Sequence, residues 1–241
     1  MSIKVSNLSF SYNKKTPVLE DLSFEIESNE LVGVMGISGC GKTTLLRILL
    51  GLNTPDTGSI SIDGIEYKEE NLNQIRSLIS YIPQHGALYP HMKVYDNIFL
   101  PIKIKRTVTE SDVKRAYELA EVCNIDPDLF KKFPNELSGG QKQRISILRA
   151  LLMDTPYIFL DEPLSALDPI TKVSIQKEFK NIFIQNKKTV IMITHALLEA
   201  KFLCDRLMIM NKGLVEQFDK TESVINNNQT GFVKEFIEAQ V

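Results

Sequence analysis

The eight residues Gly36-Ile37-Ser38-Gly39-Cys40-Gly41-Lys42-Thr43 constrain this chain more than any other stretch. They fit the pattern G-x-x-x-x-G-K-[ST], which acts as a tight loop between a buried strand and a helix. Leu31 to Met35 is a near-continuous apolar run, expected of a strand covered on both faces. After Lys42, the residues Leu45, Leu46, Ile48, Leu49 and Leu52 recur as the apolar face of a helix. Glycines let such a backbone curl until successive N–H groups point inward at phosphate oxygens. The helix that follows turns its positive N-terminal dipole toward the same point. Lys42 places a point charge for the β- and γ-phosphates, the Thr43 hydroxyl is a ligand for Mg2+, and Thr44 continues the nucleotide-binding run. At average composition, a chance match in a chain of 241 residues is about 1 in 100.

Around this loop the apolar pattern changes twice. Ile3 to Tyr12 and Leu22 to Ile26 alternate as strands, and Ile60 to Ile62 runs into an Asp63-Gly64 turn. From Val94 to about Leu152 the period is helical, with Ala116, Leu119, Ala120 and Cys123 in step and breaks at Asp126-Pro127 and Phe133-Pro134. Strand and helix then alternate again: Tyr157 to Leu160, the face Ile175, Phe179, Ile182 and Phe183, and Val190 to Thr194. A hairpin over Arg206 to Phe218 and a short amphipathic helix over Thr230 to Ala239 complete the pattern. An α/β core with a helical insertion accounts for it.

Tyr157 to Leu160 ends in Asp161-Glu162. A carboxylate at the C-terminal end of a buried strand lies at the sheet edge where α/β proteins bind ligands. Asp161 there holds Mg2+ through water, and Glu162, pointing elsewhere, polarises an attacking water as general base.

Other function classes are excluded by simpler features. The net charge of −2 gives no overall electrostatic case for a nucleic-acid binder and leaves only a local basic patch open. No stretch is long and apolar enough to span a bilayer, and the N-terminus has no signal-peptide core, so a membrane role has to come through a partner. Cys40, Cys123 and Cys204 form no metal or redox spacing and read as reduced thiols of a cytosolic protein.

Leu137-Ser138-Gly139-Gly140-Gln141 resembles the signature of the ATP-binding-cassette ATPases, and it lies between the two phosphate-site motifs, where that family has it. The other elements follow in order. Tyr12 matches the aromatic that stacks on adenine, Gln84 the Q-loop glutamine that reaches the metal, Ser165-Ala166-Leu167-Asp168 the D-loop, and His195 the switch histidine. The resemblance spans about residues 3–220. It implies an α/β fold: a P-loop NTPase (RecA-like) core with an N-terminal antiparallel β subdomain and an inserted α-helical subdomain. Core and β subdomain would take about 1–84 and 154–225, the helical subdomain 85–153 and a tail helix 226–241, all within one domain. It further implies ATP hydrolysis with Lys42, Gln84, Glu162 and His195 as catalytic residues, His195 touching the γ-phosphate and the attacking water. The nucleotide site is then shared between two copies packed head to tail, each lending Ser138, Gly139, Gly140, Gln141 and Asp168 to the other's ATP.

The same resemblance implies a peripheral protein on the cytoplasmic face of the inner or plasma membrane, bound to a transmembrane permease and served by a solute-binding protein. The permease would dock a short helix in a groove along the apolar stretch Ala87, Leu88, Tyr89, Pro90, Met92, Val94, Tyr95, Ile98 and Phe99, some of which must instead be core of the helical insertion. His85 and His91 in that stretch read as surface residues. Four stretches are similar to importers of glycine betaine, choline, carnitine or proline: Leu88 to Val94, Ser165 to Thr171, Ile175 to Glu178 and Phe232 to Ile237. Many such importers carry a C-terminal regulatory extension; read as ending at Val241, the cassette is not expected to sense osmotic conditions by itself. Amino-acid importers, lipid-type systems, cassettes that act on ribosomes or DNA, and cassettes that regulate an envelope complex without transport remain the alternatives.

Overall fold

The computed structural model describes residues 2–13, 16–84, 88–165, 167–227 and 230–240, apart from the side chain of Thr171. His85, Ala87, Ala166 and Val241 lie outside the described residues.

The alternating N-terminal segments form β1 (Ser2–Phe10) and β2 (Leu19–Glu27), paired antiparallel with Val5 opposite Phe24. β3 (Leu31–Gly36) is buried along its whole length, as its apolar run requires. α1 (Lys42–Leu49) follows, and Gly51, at φ +65°, turns the chain away. Leu52 therefore falls beyond the helix and is exposed, not part of its apolar face as the spacing suggested. β4 (Thr57–Ile62) and β5 (Ile65–Glu66) flank the Asp63-Gly64 turn and extend the first sheet in the order β2-β1-β4-β5. α2 (Leu72–Ser77) and β6 (Ile79–Ile82) come next, too short for their periods to stand out in the sequence.

The middle third is helical: α3 (Val94–Lys105), α4 (Glu110–Val122) and α5 (Gly139–Leu152). α4 and α5 each start on a reciprocal cap, Thr109 with Asp112 and Ser138 with Gln141, which satisfies amide groups that have no partner within the helix. The chain then runs through β7 (Tyr157–Asp161), α6 (Pro169–Gln185), β8 (Thr189–Ile193), α7 (Leu197–Leu203), β9 (Arg206–Asn211), β10 (Leu214–Lys220), α8 (Thr221–Asn226) and α9 (Gly231–Glu238). Among the described residues the second sheet has the order β10-β9-β3-β8-β7-β6, parallel except for the edge strand β10. No helix of the described residues is long and apolar enough to cross a membrane.

This sheet is covered on both faces, and the two-residue period sorts its side chains between two cores. Val32, Val34, Tyr157, Phe159, Ile191, Ile193, Met208 and Met210 pack with α1 and the antiparallel sheet. Leu31, Met35, Ile158, Leu160, Val190, Met192, Leu207 and Ile209 pack with α3 to α7 and α9. α6 contributes Ile175, Phe179, Ile182 and Phe183 to the second core, the face its spacing predicts.

The segment after Gln84 divides between core and surface. Val94, Ile98 and Phe99 are fully buried and belong to the core beneath it. Leu88, Met92 and Tyr95 are half-buried, and Tyr89, Pro90 and His91 are exposed. The segment is fastened from below by Asn97, buried at the start of α3. Its amide donates to the carbonyls of Tyr89, Met92 and Lys93 and accepts from the Tyr89 N–H at 2.7 Å. Phe99→Ala should therefore destabilise the chain by about 3–5 kcal/mol, the usual cost of a large core cavity. Tyr89→Ala should cost less than about 1 kcal/mol, as surface changes do. Urea unfolding of the two variants measures the difference.

Candidate nucleotide site

The phosphate loop leaves β3 at Gly36 and enters α1 at Gly41, which caps the helix at φ +107°. A Cβ at Gly41 would lie 2.6 Å from Leu19 Cδ2 and 3.0 Å from the Val18 carbonyl, so the β2 end of the antiparallel sheet presses directly on the loop. Lys42 is buried, with its ammonium turned back into the loop. It donates to the carbonyls of Gly36 and Ile37, each at 2.9 Å, and lies 3.7 Å from Cys40 Sγ. Ile37, Ser38, Gly39 and Thr43 are exposed. Thr44 is buried, its hydroxyl 3.2 Å from that of Tyr12. Tyr12, held edge-on against Phe10 and largely exposed, thus stands over the start of α1.

Asp161 ends β7 and is buried. The Tyr81 hydroxyl donates to it at 3.4 Å. Burial, and then the Asp161 charge, push the Tyr81 phenol up to about 12, so it stays a neutral donor. Burial first, and the charge of Glu162 second, raise the Asp161 carboxyl above its ordinary value. Glu162 takes a left-handed backbone, φ +48°, with its N–H on the Ile193 carbonyl at 3.0 Å. That turn swings its side chain away from Asp161 and into a cleft. There Gln84 Nε2 donates to Glu162 Oε2 at 2.9 Å, and His195 Nε2 lies 2.7 Å from Glu162 Oε1. Gln84, Glu162 and His195 come from the ends of β6, β7 and β8, and the sheet brings them together.

Other predicted residues are not joined to this cluster. Ser138, Gly139 and Gly140 open α5, with Ser138 and Gly139 exposed and Gly140 buried. The bonds of Ser138 and Gln141 close on that helix's own first turn: Gln141 N–H to Ser138 Oγ at 3.3 Å, Ser138 N–H to Gln141 Oε1 at 2.9 Å. Asp168 is exposed just before α6, and its carbonyl accepts the Lys172 N–H at 2.9 Å. Sequence reasoning missed Tyr81, Ser165, Lys172, Thr194 and Glu199. Ser165 Oγ donates to the Glu162 carbonyl at 3.0 Å, and the last three form a bridge taken up below. Ser165 sits in the D-loop motif without a role read from it, and for the other four only the fold brings them beside the site.

Such a loop, strand-end carboxylates and separate helix-opening signature define a nucleotide-binding cassette. The family model described as ABC transporter matches residues 19–165, and the chain belongs to the ABC transporter family, with the fold of its ATP-binding cassette. It is 37% identical over 235 residues to a glycine betaine/carnitine/choline transport ATP-binding protein of Bacillus subtilis (strain 168), covering 98% of this chain and 62% of that protein. It is 36% identical over 241 residues to a sulfate/thiosulfate import ATP-binding protein of Pseudomonas aeruginosa, covering 98% of this chain and 72% of that protein. The chain spans about six-tenths of the length of the first curated relatives it matches. Among solved structures, the dimeric bacterial ABC transporter cassette MJ0796 superposes with a TM-score of 0.80 at 32% identity, covering 91% of this chain and 98% of that one. Its dimeric post-hydrolysis state bound to ADP and Pi gives 0.79 at 31%, with the same coverage.

The raised carboxyl of Asp161 sets a pH dependence for the nucleotide-free protein. A carboxyl whose pKa rises on folding stabilises the fold fully below its unfolded value and loses that contribution as pH climbs through the folded value. Asp161→Asn removes the loss. Without nucleotide, the variant should melt above wild type at about pH 7. The gap should close as the pH falls through the raised value, and thermal melts across pH measure it.

Proposed function

We propose that the chain is the ATP-hydrolysing subunit of an ABC importer, acting as a head-to-tail dimer. The observation that carries this is the meeting of Gln84, Glu162 and His195 beside the loop that holds Lys42. Glu162 is the general base for the attacking water. Without nucleotide both its oxygens are engaged, so it acts only after Gln84 and His195 have turned to new partners. Residues Gly36 to Thr44 cradle the phosphates, Lys42 exchanging loop carbonyls for phosphate oxygens, and Tyr12 offers its exposed ring to the adenine. His195 turns to the γ-phosphate and the water.

Thr43, Asp161 and Gln84 present only oxygen donors to a metal, which suits Mg2+. Among the described residues no group of three or more His, Cys, Asp or Glu is placed to hold a metal. Such an ion would be held by the Asp161 carboxylate, Thr43 and Gln84 together with water and the nucleotide's phosphates. When bound, Mg2+ neutralises charge developing on the phosphates.

Ser138, Gly139, Gly140, Gln141 and Asp168 complete the site of the second copy. The exposure of Ser138, Gly139 and Asp168, the bonds of Ser138 and Gln141 closing on their own helix, and the dimeric form of MJ0796 support this. The partners are a permease, met at Tyr89, Pro90 and the half-buried residues around them, and a solute-binding protein. The cassette works on the cytoplasmic face of the membrane, with about 85–153 as the helical subdomain. Its solute is a quaternary amine or proline; the four matching stretches and the Bacillus relative support this class over the sulfate relative's.

Glu162→Gln should keep ATP binding, slow hydrolysis by about 10²–10⁴, the usual worth of a general base, and trap an ATP-bound dimer. Adding Ser138→Arg should abolish that dimer without loss of ATP binding. Wild-type turnover in Glu162→Gln would remove its role as base, and an intact dimer in the double variant would remove the shared site.

For the solute, cells lacking the chain should lose uptake of labelled glycine betaine, choline or proline while a polar amino acid still enters. Unchanged uptake of all three, with the permease present, would reject the solute class and leave the ATPase intact.

A further inference from the structure

Glu199 is a buried carboxylate that the chemistry above does not use. It lies in the first turn of α7, with two partners on different elements. Its Oε2 accepts from the Thr194 hydroxyl at 2.6 Å, and its Oε1 lies 3.4 Å from Lys172 Nζ. Thr194 is itself buried, its N–H on the Val34 carbonyl at 3.2 Å, and its hydroxyl accepts the Ala196 N–H at 3.1 Å. The residue between is His195, so the backbone that carries the histidine is pinned on both sides. Lys172 stands one helical turn after Asp168, whose carbonyl takes its N–H at 2.9 Å. Glu162, Ser165, Lys172, Thr194, His195 and Glu199 line one cavity of about 220 Å³.

We infer that Lys172, Glu199 and Thr194 form a positioning bridge that couples the start of α6, at Asp168, to the placement of His195. The inference rests on the ATPase function proposed above. A buried carboxylate is stable only when it is paired and hydrogen-bonded, so Glu199 holds both partners in one geometry. Thr194 passes that geometry to the histidine through the backbone. A shift of α6 that draws Lys172 away then loosens the 194–196 turn and moves His195 relative to Glu162. Glu199 touches neither His195 nor Glu162 by a hydrogen bond and acts through Thr194.

The test uses the full chain and four variants: Glu199→Gln, Thr194→Val, Thr194→Ser and the double variant Thr194→Val/Glu199→Gln. Glu199→Gln should lower kcat about tenfold with the affinity for ATP, measured without turnover, changed less than about twofold. Thr194→Val should match it, Thr194→Ser should stay near wild type, and the double variant should be no worse than either single change, as for residues that act as a unit. A wild-type kcat in Glu199→Gln and Thr194→Val would overturn the bridge. So would a loss of kcat that tracks a loss of ATP affinity, or one that Thr194→Ser fails to rescue. Amide hydrogen exchange over residues 194–200 decides the bridge separately from the ATPase. Faster exchange there in Glu199→Gln and Thr194→Val supports it, and unchanged exchange overturns it, even if the wild type proves not to hydrolyse ATP.

Discussion

The site depends on the register of a parallel sheet. Ile82 pairs with Leu160, Leu160 with Met192, and Met192 with Gly33, which puts those residues of β6, β7, β8 and β3 on one level. Two residues further along lie Gln84 and Glu162, and three further lie His195 and Gly36. A one-residue slip of any strand would carry its functional side chain off that level and move its apolar residues to the other face. Because both faces are buried against different cores, such a slip is costly, and the register holds the site in place.

Charge is kept at this edge by pairing. The Lys42 ammonium is solvated by carbonyls of its own loop, and Glu162 by Gln84 and His195. The Asp161 carboxylate accepts from the Tyr81 hydroxyl at 3.4 Å, and burial, with the charge of Glu162 second, leaves its carboxyl raised. A cation brought to this edge would relieve that tension, so that its binding and local stability would be linked.

The helical third is tied to the core along α5. Its N-terminal end exposes Ser138, while Leu148, Leu151 and Leu152 lie in the main core. Midway, Arg144 grips Glu178 of α6 through two bonds of 3.1 Å, a forked pairing that restricts rotation more than a single contact does. The signature end of α5 and the Asp168 end of α6 are therefore braced against each other. The Lys172–Glu199–Thr194 bridge carries the same bracing on toward His195.

The motifs around Lys42 and Asp161 were legible from the chain alone as short, fixed spacings, and that around Ser138 through its resemblance to the family signature. The strands β1 to β3, β7 and β8, the face of α6 and the tail helix were legible too, because apolar periodicity is a local property. Two things were not. Apolar residues that cover a groove and those that fill the core beneath it read alike, and only packing separated Val94, Ile98 and Phe99 from Tyr89. Tyr81, Thr194 and Glu199 belong to no pattern, since their partners come from other strands and helices. The sequence by itself determined the short fixed spacings on which the reading of phosphate binding and water activation rests. Only the tertiary structure decided that Glu162 lies between Gln84 and His195, because hydrogen bonds a few ångströms long depend on strand register, and register is set by the two buried faces of the whole sheet.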